Sequence, residues 1–437
     1  MKKLFQISIL LFLLSPILRY YEIPKINVEL TSFILLINFF ILTFITISRK
    51  ININNTLKIF LFFLLWSILV SFLSLVLYSF VDFSIEKFNN YIFSLFGIII
   101  FIILLIYKSE NTNIYKIYSV ISSFLIFAIF VQFIAYYIFR LPLNLKLPFL
   151  TLMDNYVTSF QSLTNVLSFG SIPRFSSFFS EPAHFAQYIV PFLIFELNNP
   201  TRKNRKNIFI GIVITFSVLI SLSGNGIVII VATWMLFLFK GIFKGKNLKP
   251  SNIIVLIFGV LIIVSSIFYF SRYININELF YSSGGGISKA DYRVYRGFFI
   301  FKELPIFNQI FGVGYRNAQF FIDRYSIYTP FDNPGESVEY MNSIAQILVY
   351  FGFIGFSVYF IYFLKIYKKS PDNIRILIIV YFLLSISSSL LFDSVYFMYM
   401  LFIMKANDSG LLKKNIPFIE KGVNIYENRI AHNSFWR

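Results

Sequence analysis

Two short polar clusters carry the residues most able to do chemistry. The first is Pro173-Arg174-Phe-Ser-Ser-Phe-Phe-Ser-Glu181-Pro182-Ala-His184, which sets a cation, an acid and an imidazole close together at the mouth of an apolar run. A guanidinium stays charged and grips two phosphate oxygens in a planar fork. A carboxylate takes up a proton or orients such a guanidinium. Proline suits the first turn of a helix, so a helix opening at Pro182 puts Glu181 at its positive end and His184 in its first turn. A purely structural reading makes Glu181 a helix cap and His184 an interfacial residue.

The second cluster follows a flexible joint at Ser283-Gly284-Gly285-Gly286. Ser288-Lys-Ala-Asp291 resembles a capping box, with an acid where the helix dipole is positive. The spacing predicts a helix to Glu303, stopped before Pro305. Arg293 and Arg296 stand three apart and share one face of it, with Tyr292 and Tyr295 beside them. Gly312-Val-Gly314-Tyr315-Arg316 then reads as a turn carrying a further cation, and Arg324 lies beyond it. An interfacial amphipathic helix whose arginines touch lipid headgroups is the competing reading.

Other chemistries lack their residues. The chain has no cysteine and only two histidines, His184 and His432, so thiolate nucleophiles and histidine-rich metal sites are excluded. No Asp-x-Asp metal clamp, P-loop or Gly-x-Ser-x-Gly elbow occurs. Neither a metal nor a cofactor is expected.

The elements that must position these residues are set by composition. The 437 residues are 57% hydrophobic, 20% aromatic and 13% charged, against roughly 25% charge in a soluble chain. Mean hydropathy is +0.74. Apolar runs recur near 4–18, 30–48, 58–80, 90–107, 117–139, 182–197, 207–222, 227–240, 252–271, 341–363, 374–391 and 394–404. They predict an all-α polytopic membrane protein of about twelve transmembrane helices (ten to twelve, because the paired runs at 207–240 and 374–404 are short). One transmembrane domain covers 1–405, and 406–437 form a tail.

With both termini inside, the inner segments hold 25 of the 38 cations and 6 of the 20 acids. Every short loop obeys the positive-inside rule. The net charge of +18 is therefore a topology signal, and no nucleic-acid partner is expected. Two outer loops, at 140–181 and 272–340, exceed ordinary connectors and are aromatic rather than disordered in composition. They are expected to bear short amphipathic helices against the membrane or over a cavity. Almost no charge falls at mid-depth in the spans, which argues against a proton-coupled transporter.

Arginine is distributed unevenly. Eight of 14 arginines fall outside, against 5 of 24 lysines. Outward-facing guanidinium groups suit a phosphate presented at the outer leaflet, and a lipid-linked diphosphate fits that description.

The chain resembles the O-antigen and capsular polysaccharide polymerases of the Wzy type, in the superfamily that includes the O-antigen ligases. The resemblance rests on Arg174…Phe179-Ser180-Glu181-Pro182-Ala183-His184-Phe185-Ala186 and on Ser221-Leu-Ser-Gly-Asn-Gly226. It continues through Tyr292-Arg293…Leu304-Pro305…Phe311-Gly312-Val313-Gly314 and Met341-Asn342…Gly352-Phe-Ile-Gly355. Ligases carry a histidine where Met341 stands, and an arginine is common where Gly224 or Asn225 stands. The resemblance implies a glycosyltransferase of the bacterial inner membrane. It would polymerise polyprenyl-diphosphate-linked oligosaccharides into O-antigen, capsule or exopolysaccharide by inverting transfer, among membrane lipids and beside a flippase and a chain-length regulator. Arg174, Glu181 and Arg293 would be catalytic. Arg296, Arg316 and Arg324 would bind the diphosphate, with His184 and Asn342 supporting. A ligase and a polysaccharide flippase or transporter are the alternatives.

Overall fold

The computed structural model describes residues 2–23, 28–47, 55–77, 85–106, 114–143, 145–147, 150–152, 174–199, 202–243, 289–329 and 341–409. Most of these residues are helical. Helices α1 (Lys2–Leu18), α2 (Leu30–Ile47), α3 (Asn55–Leu77), α4 (Ile85–Ile106) and α5 (Ile114–Tyr137) fall on the first five apolar runs. Next come α6 (Pro182–Leu197), α7 (Asn204–Ile220) and α8 (Gly224–Phe243). The segment 289–324 supplies α9 (Lys289–Glu303), α10 (Ile306–Phe311) and α11 (Ala318–Arg324), before α12 (Ser343–Lys369), α13 (Asp372–Ser387) and α14 (Ser394–Ser409). The expected span at 252–271, the glycines at 284–286 and the tail beyond 409 lie outside the described residues.

Among the described residues, three helical stretches are long and apolar enough to cross a membrane: Leu57–Ser74 within α3, Ile114–Tyr137 and Ser343–Lys369. The exterior fits lipid better than water. Phe40, Phe44, Leu65, Phe127, Phe209 and Phe353 stand more than half exposed on α2, α3, α5, α7 and α12, a density of bare aromatics that water would penalise. Inside, tyrosines carry polar groups into the core, and two of them satisfy these on backbone carbonyls. Tyr188 Oη donates to Leu13 O at 3.0 Å and Tyr399 Oη to Gln187 O at 3.0 Å.

Helix α12 is broken at Gly352, where φ is +66°. A break frees carbonyls that hydrocarbon cannot satisfy, so they must find donors within the protein. The turn after α10 supplies two of them. Val313 N–H donates to Val349 O at 3.0 Å and Gly314 N–H to Tyr350 O at 2.9 Å, while Trp66 Nε1 donates to Phe351 O at 2.9 Å. Gly312 has φ +93°, and a Cβ there would stand 2.3 Å from Tyr350 O. The glycines at 312 and 352 thus let two backbones touch. The turn expected at 312–316 is therefore a strap pinned to a helix break, with Arg316 at its far end.

A small antiparallel sheet was not expected from the sequence. Strands β1 (Tyr21–Ile23), β2 (Val28–Glu29) and β3 (Thr151–Leu152) pair in the order β2-β1-β3, with Glu22 opposite Glu29 and Thr151. Leu147 N–H donates to Tyr21 Oη at 3.1 Å, and Thr151 Oγ1 donates to Glu22 O at 3.2 Å. The sheet ties residues 151–152 to the segment leaving α1, and so fixes Arg19 and Tyr20 between helix and strand.

Candidate functional site

One cluster of polar groups gathers around Arg19, at the C-terminal end of α1. Its Nη1 pairs with Asp393 Oδ2 in the link between α13 and α14. Its Nη2 lies 3.0 Å from Nε2 and 3.1 Å from Nδ1 of His184, in the first turn of α6. The guanidinium also lies 4.8 Å from the centre of the Tyr20 ring, which itself packs 5.7 Å from the imidazole. Residues 374 positions apart in sequence meet here with side chains only 14% and 21% exposed. A half-buried ion pair of that span needs every helix between its partners to be in place.

The cluster continues inward as a chain of hydrogen bonds. His184 Nδ1 lies 3.3 Å from Gln187 Oε1, which fits a proton on Nδ1 and leaves Nε2 to accept from Arg19. Gln187 Nε2 donates to Ser388 Oγ at 3.0 Å, and Asn225 Nδ2 reaches the same oxygen at 3.4 Å. Ser343 at the start of α12 donates through both N–H and Oγ to Ser388 O, at 3.0 and 2.8 Å. The second turn of α6 and the first turns of α8 and α12 are thereby joined through one serine. Three helix N-termini near one place, beside an arginine, suit an anion, and the C-terminal end of α13 at Ser388 offsets part of their positive potential.

The Ser221-Leu-Ser-Gly-Asn-Gly226 motif serves this junction. Ser223 Oγ accepts from Gly226 N–H at 3.1 Å and so caps α8. A Cβ on Gly226 would stand 2.6 Å from Ala186 Cβ, so this glycine lets α8 close on α6. Asn225 is then left to reach Ser388.

Two carboxyl groups of the cluster are pushed in opposite directions. Burial alone would raise the Asp393 carboxyl, but the Arg19 guanidinium beside it holds it below the usual carboxylate range. Glu29, on β2, is pushed up to about 7 by burial, partly offset by the charges of Arg19 and Arg316 and by a hydrogen bond from Ser32, with Asp393 adding to the rise. Burial also raises the Tyr20 phenol, which stays protonated.

The residues singled out from the sequence divide between this cluster and other roles. His184 belongs to it. Glu181 stands at the N-cap position before Pro182 but makes no cap bond with its side chain. Its backbone carbonyl accepts from His184 N–H at 3.2 Å, and its carboxylate lies 4.0 Å from His184 Nε2 at 54% exposure. The side-chain cap expected there is thus replaced by a carboxylate free to turn toward the imidazole. Arg316, exposed and at positive φ, lies within electrostatic reach of Glu29. Arg174 is exposed. Arg324 is exposed, with its guanidinium 5.8 Å from the Phe320 ring centre.

Arg296 is 1% exposed on α9, which packs against α12 and α13. Arg293 lies on the same helix, and its side chain falls outside the described residues. Asn342 caps α12, accepting from Ala345 N–H at 2.9 Å, and its Nδ2 donates to Val294 O at 2.8 Å. It therefore holds α9 against α12. Gly297 makes that contact close, since a Cβ there would stand 2.5 Å from Ala345 Cβ. Among the described residues, no three His, Asp or Glu side chains converge to hold a metal ion.

The sequence reading passes over Arg19, Asp393 and Glu29 as site residues. Arg19 appears there only as one of eight outer arginines. The available signal was three charged residues, each placed where an apolar run starts or ends. No protein-family model matches the chain, and no curated protein matches it.

Proposed function

We propose that this chain is a glycosyltransferase that polymerises polyprenyl-diphosphate-linked oligosaccharide repeats into a surface polysaccharide at the outer face of the bacterial cytoplasmic membrane. The proposed arrangement has about twelve spans, both termini in the cytoplasm and the two long loops outside. What carries the reading is the meeting of Arg19, His184 and Asp393 at the ends of apolar helices, with Glu29 and Arg316 within electrostatic reach. It joins cations suited to a diphosphate with carboxyl groups suited to proton transfer, at the rim of a lipid-facing bundle.

In the reaction, a hydroxyl of one lipid-linked repeat attacks the anomeric carbon of the growing chain, with inversion. The bond from that carbon to the diphosphate oxygen breaks, and the polyprenyl diphosphate leaves with the electron pair. Such a leaving group needs its charge stabilised more than it needs a proton. Preorganised cations do this, and each donor removed typically costs about 10²–10³ in rate. Arg19 and Arg316 are the proposed anchors of the diphosphate, with Arg174, Arg293 and Arg296 as further cations from the outer loops. Asp393 fixes the orientation of Arg19.

The test is reconstitution of the full-length protein in liposomes with a polyprenyl-diphosphate-linked repeat unit as the sole sugar source. A ladder of products spaced by one repeat is expected. A single transfer to a foreign acceptor would mean a ligase. Translocation with no new glycosidic bond would mean a flippase, and either outcome would overturn the proposal.

A further inference from the structure

The link between α13 and α14, residues 388–393, carries the anion of the Arg19 pair and is held from several sides. Ser343, at the start of α12, donates to Ser388 O and accepts from Leu390 N–H at 2.6 Å. Gln346 Nε2 donates to Ser389 Oγ at 2.8 Å, and Asp393 N–H closes a turn on Leu390 O at 2.9 Å. Inside that turn Phe392 adopts a φ of +58°. This left-handed conformation crowds a Cβ against the following carbonyl, and a bulky residue keeps it only where the surroundings dictate it. Glycine would take it without strain, but glycine has no ring.

The Phe392 ring is 5% exposed and packs against four elements. Its centre lies 5.3 Å from that of Tyr315 on the strap, 5.9 Å from Phe351 beside the break in α12, 6.4 Å from Phe63 on α3 and 5.8 Å from Tyr396 on α14. Tyr315 precedes Arg316, which is itself left-handed at φ +56°. Phe392 precedes Asp393, whose carboxylate pairs with Arg19. A single ring contact therefore stands one residue from Arg316 on one side and one residue from the partner of Arg19 on the other. Close-packed rings transmit displacement rather than absorb it, so a shift of the strap must move Phe392 or open a void beside it.

We propose that Phe392 is a positioning residue that keeps the strap bearing Arg316 in register with the Arg19–Asp393 pair, so that displacing either is felt at the other. For its effect on turnover this rests on the glycosyltransferase reading above, and it goes beyond that reading by naming what aligns the two diphosphate anchors. The coupling itself needs no substrate and runs equally in both directions.

Hydrogen exchange and mass spectrometry of the full-length protein in detergent micelles reads the coupling. Asp393→Asn, which breaks the pair, is expected to speed exchange at Val313 and Gly314, whose N–H groups pin the strap to α12, by about tenfold. In the other direction, Gly312→Ala pushes the strap off α12 and should speed exchange at Asp393 and Phe397, whose N–H groups hold the link, by a similar factor. In a Phe392→Leu background, which fills much of the space without the ring, each cross-effect should shrink to within about twofold. Tyr315→Leu cuts the same contact from the strap side and should do likewise, so the test survives if Phe392→Leu fails to fold. A residue that merely fills space would speed exchange when replaced but leave both cross-effects intact.

In liposomes with the polyprenyl-diphosphate-linked repeat, Phe392→Leu is expected to slow chain extension by at least about tenfold, because anchors out of register misplace the diphosphate. Asp393→Asn leaving strap exchange within about twofold of wild type, or cross-effects undiminished in Phe392→Leu and Tyr315→Leu, would overturn the assignment while the polymerase reading stood. An unchanged rate of chain extension in Phe392→Leu would overturn its role in the transfer. Failure of wild type itself to build a ladder would remove the polymerase reading and leave the exchange measurements to decide the coupling.

Discussion

Replacing Gly312 by alanine tests whether the strap after α10 is held as described. A methyl group there would stand 2.3 Å from Tyr350 O and 2.6 Å from Phe351 Cα, at a φ of +93° that side chains disfavour. The backbone conformation alone costs about 1–3 kcal/mol. Pushing the strap away also loses the bonds from Val313 N–H to Val349 O and from Gly314 N–H to Tyr350 O. Each is worth about 1 kcal/mol net, and more where the carbonyl is left buried without a donor. The total comes to about 3–5 kcal/mol, a large share of the roughly 5–15 kcal/mol that holds an ordinary domain together. Because the strap is local, the loss should appear first as faster amide exchange at Val313 and Gly314. That energy corresponds to at least about 10²-fold, measured by hydrogen exchange and mass spectrometry in detergent micelles. Gly352→Ala meets the same close approach from the other side, 2.3 Å from Ile310 O. The two variants should therefore cost less together than the sum of each alone. Exchange at Val313 and Gly314 within threefold of wild type in Gly312→Ala would refute this account of the helix break.

Three further expectations concern the cluster and its supports. Asp393→Asn leaves the Arg19 guanidinium half-buried without its anion and should lower stability at neutral pH by about 1–3 kcal/mol, less than a wholly buried pair would lose. Since Arg19 holds the Asp393 carboxyl below its ordinary range, that contribution is present above the unfolded value. It should fade only as pH falls through the lower folded one, so melts of wild type and variant should converge only in strong acid. Glu29 has the opposite sign: its folded value near 7 exceeds the ordinary 4.5, so wild-type stability should decline as pH rises between them. Glu29→Gln should melt with no such dependence, the difference reaching at most about 3 kcal/mol above pH 7. Asn342→Ala removes the cap of α12 and the donor to Val294 O, and should cost about 1–2 kcal/mol in thermal melts.

Periodicity and turn chemistry made much of the helical framework legible. Apolar runs of membrane length located the described long helices, and Pro182, Pro305 and Gly312 located a helix start, a helix stop and a turn, because each acts through local backbone geometry; the cap expected at Ser288 lies outside the described residues. Gly352 was legible only as part of a motif. Its role as a helix break depends on the strap that meets it, and the strap lies some forty residues away. The β1–β3 sheet was illegible because strands of two or three residues carry no periodic signal. At the site, His184 and Arg316 stood out by residue type. Arg19, Asp393 and Glu29 did not, because what distinguishes them is being brought together from distant parts of the chain. A charge at a helix end looks the same in sequence whether it faces solvent or a partner 374 residues away.

The central claim is that Arg19 grips the diphosphate as the sugar leaves, and the initial rate of chain extension by Arg19→Lys in liposomes tests it most directly. Lysine keeps the charge but loses the planar fork that reaches Asp393 and His184 together. The account predicts a fall of about 10²-fold or more with the ladder spacing unchanged. A variant that extends chains within twofold of wild type would contradict it.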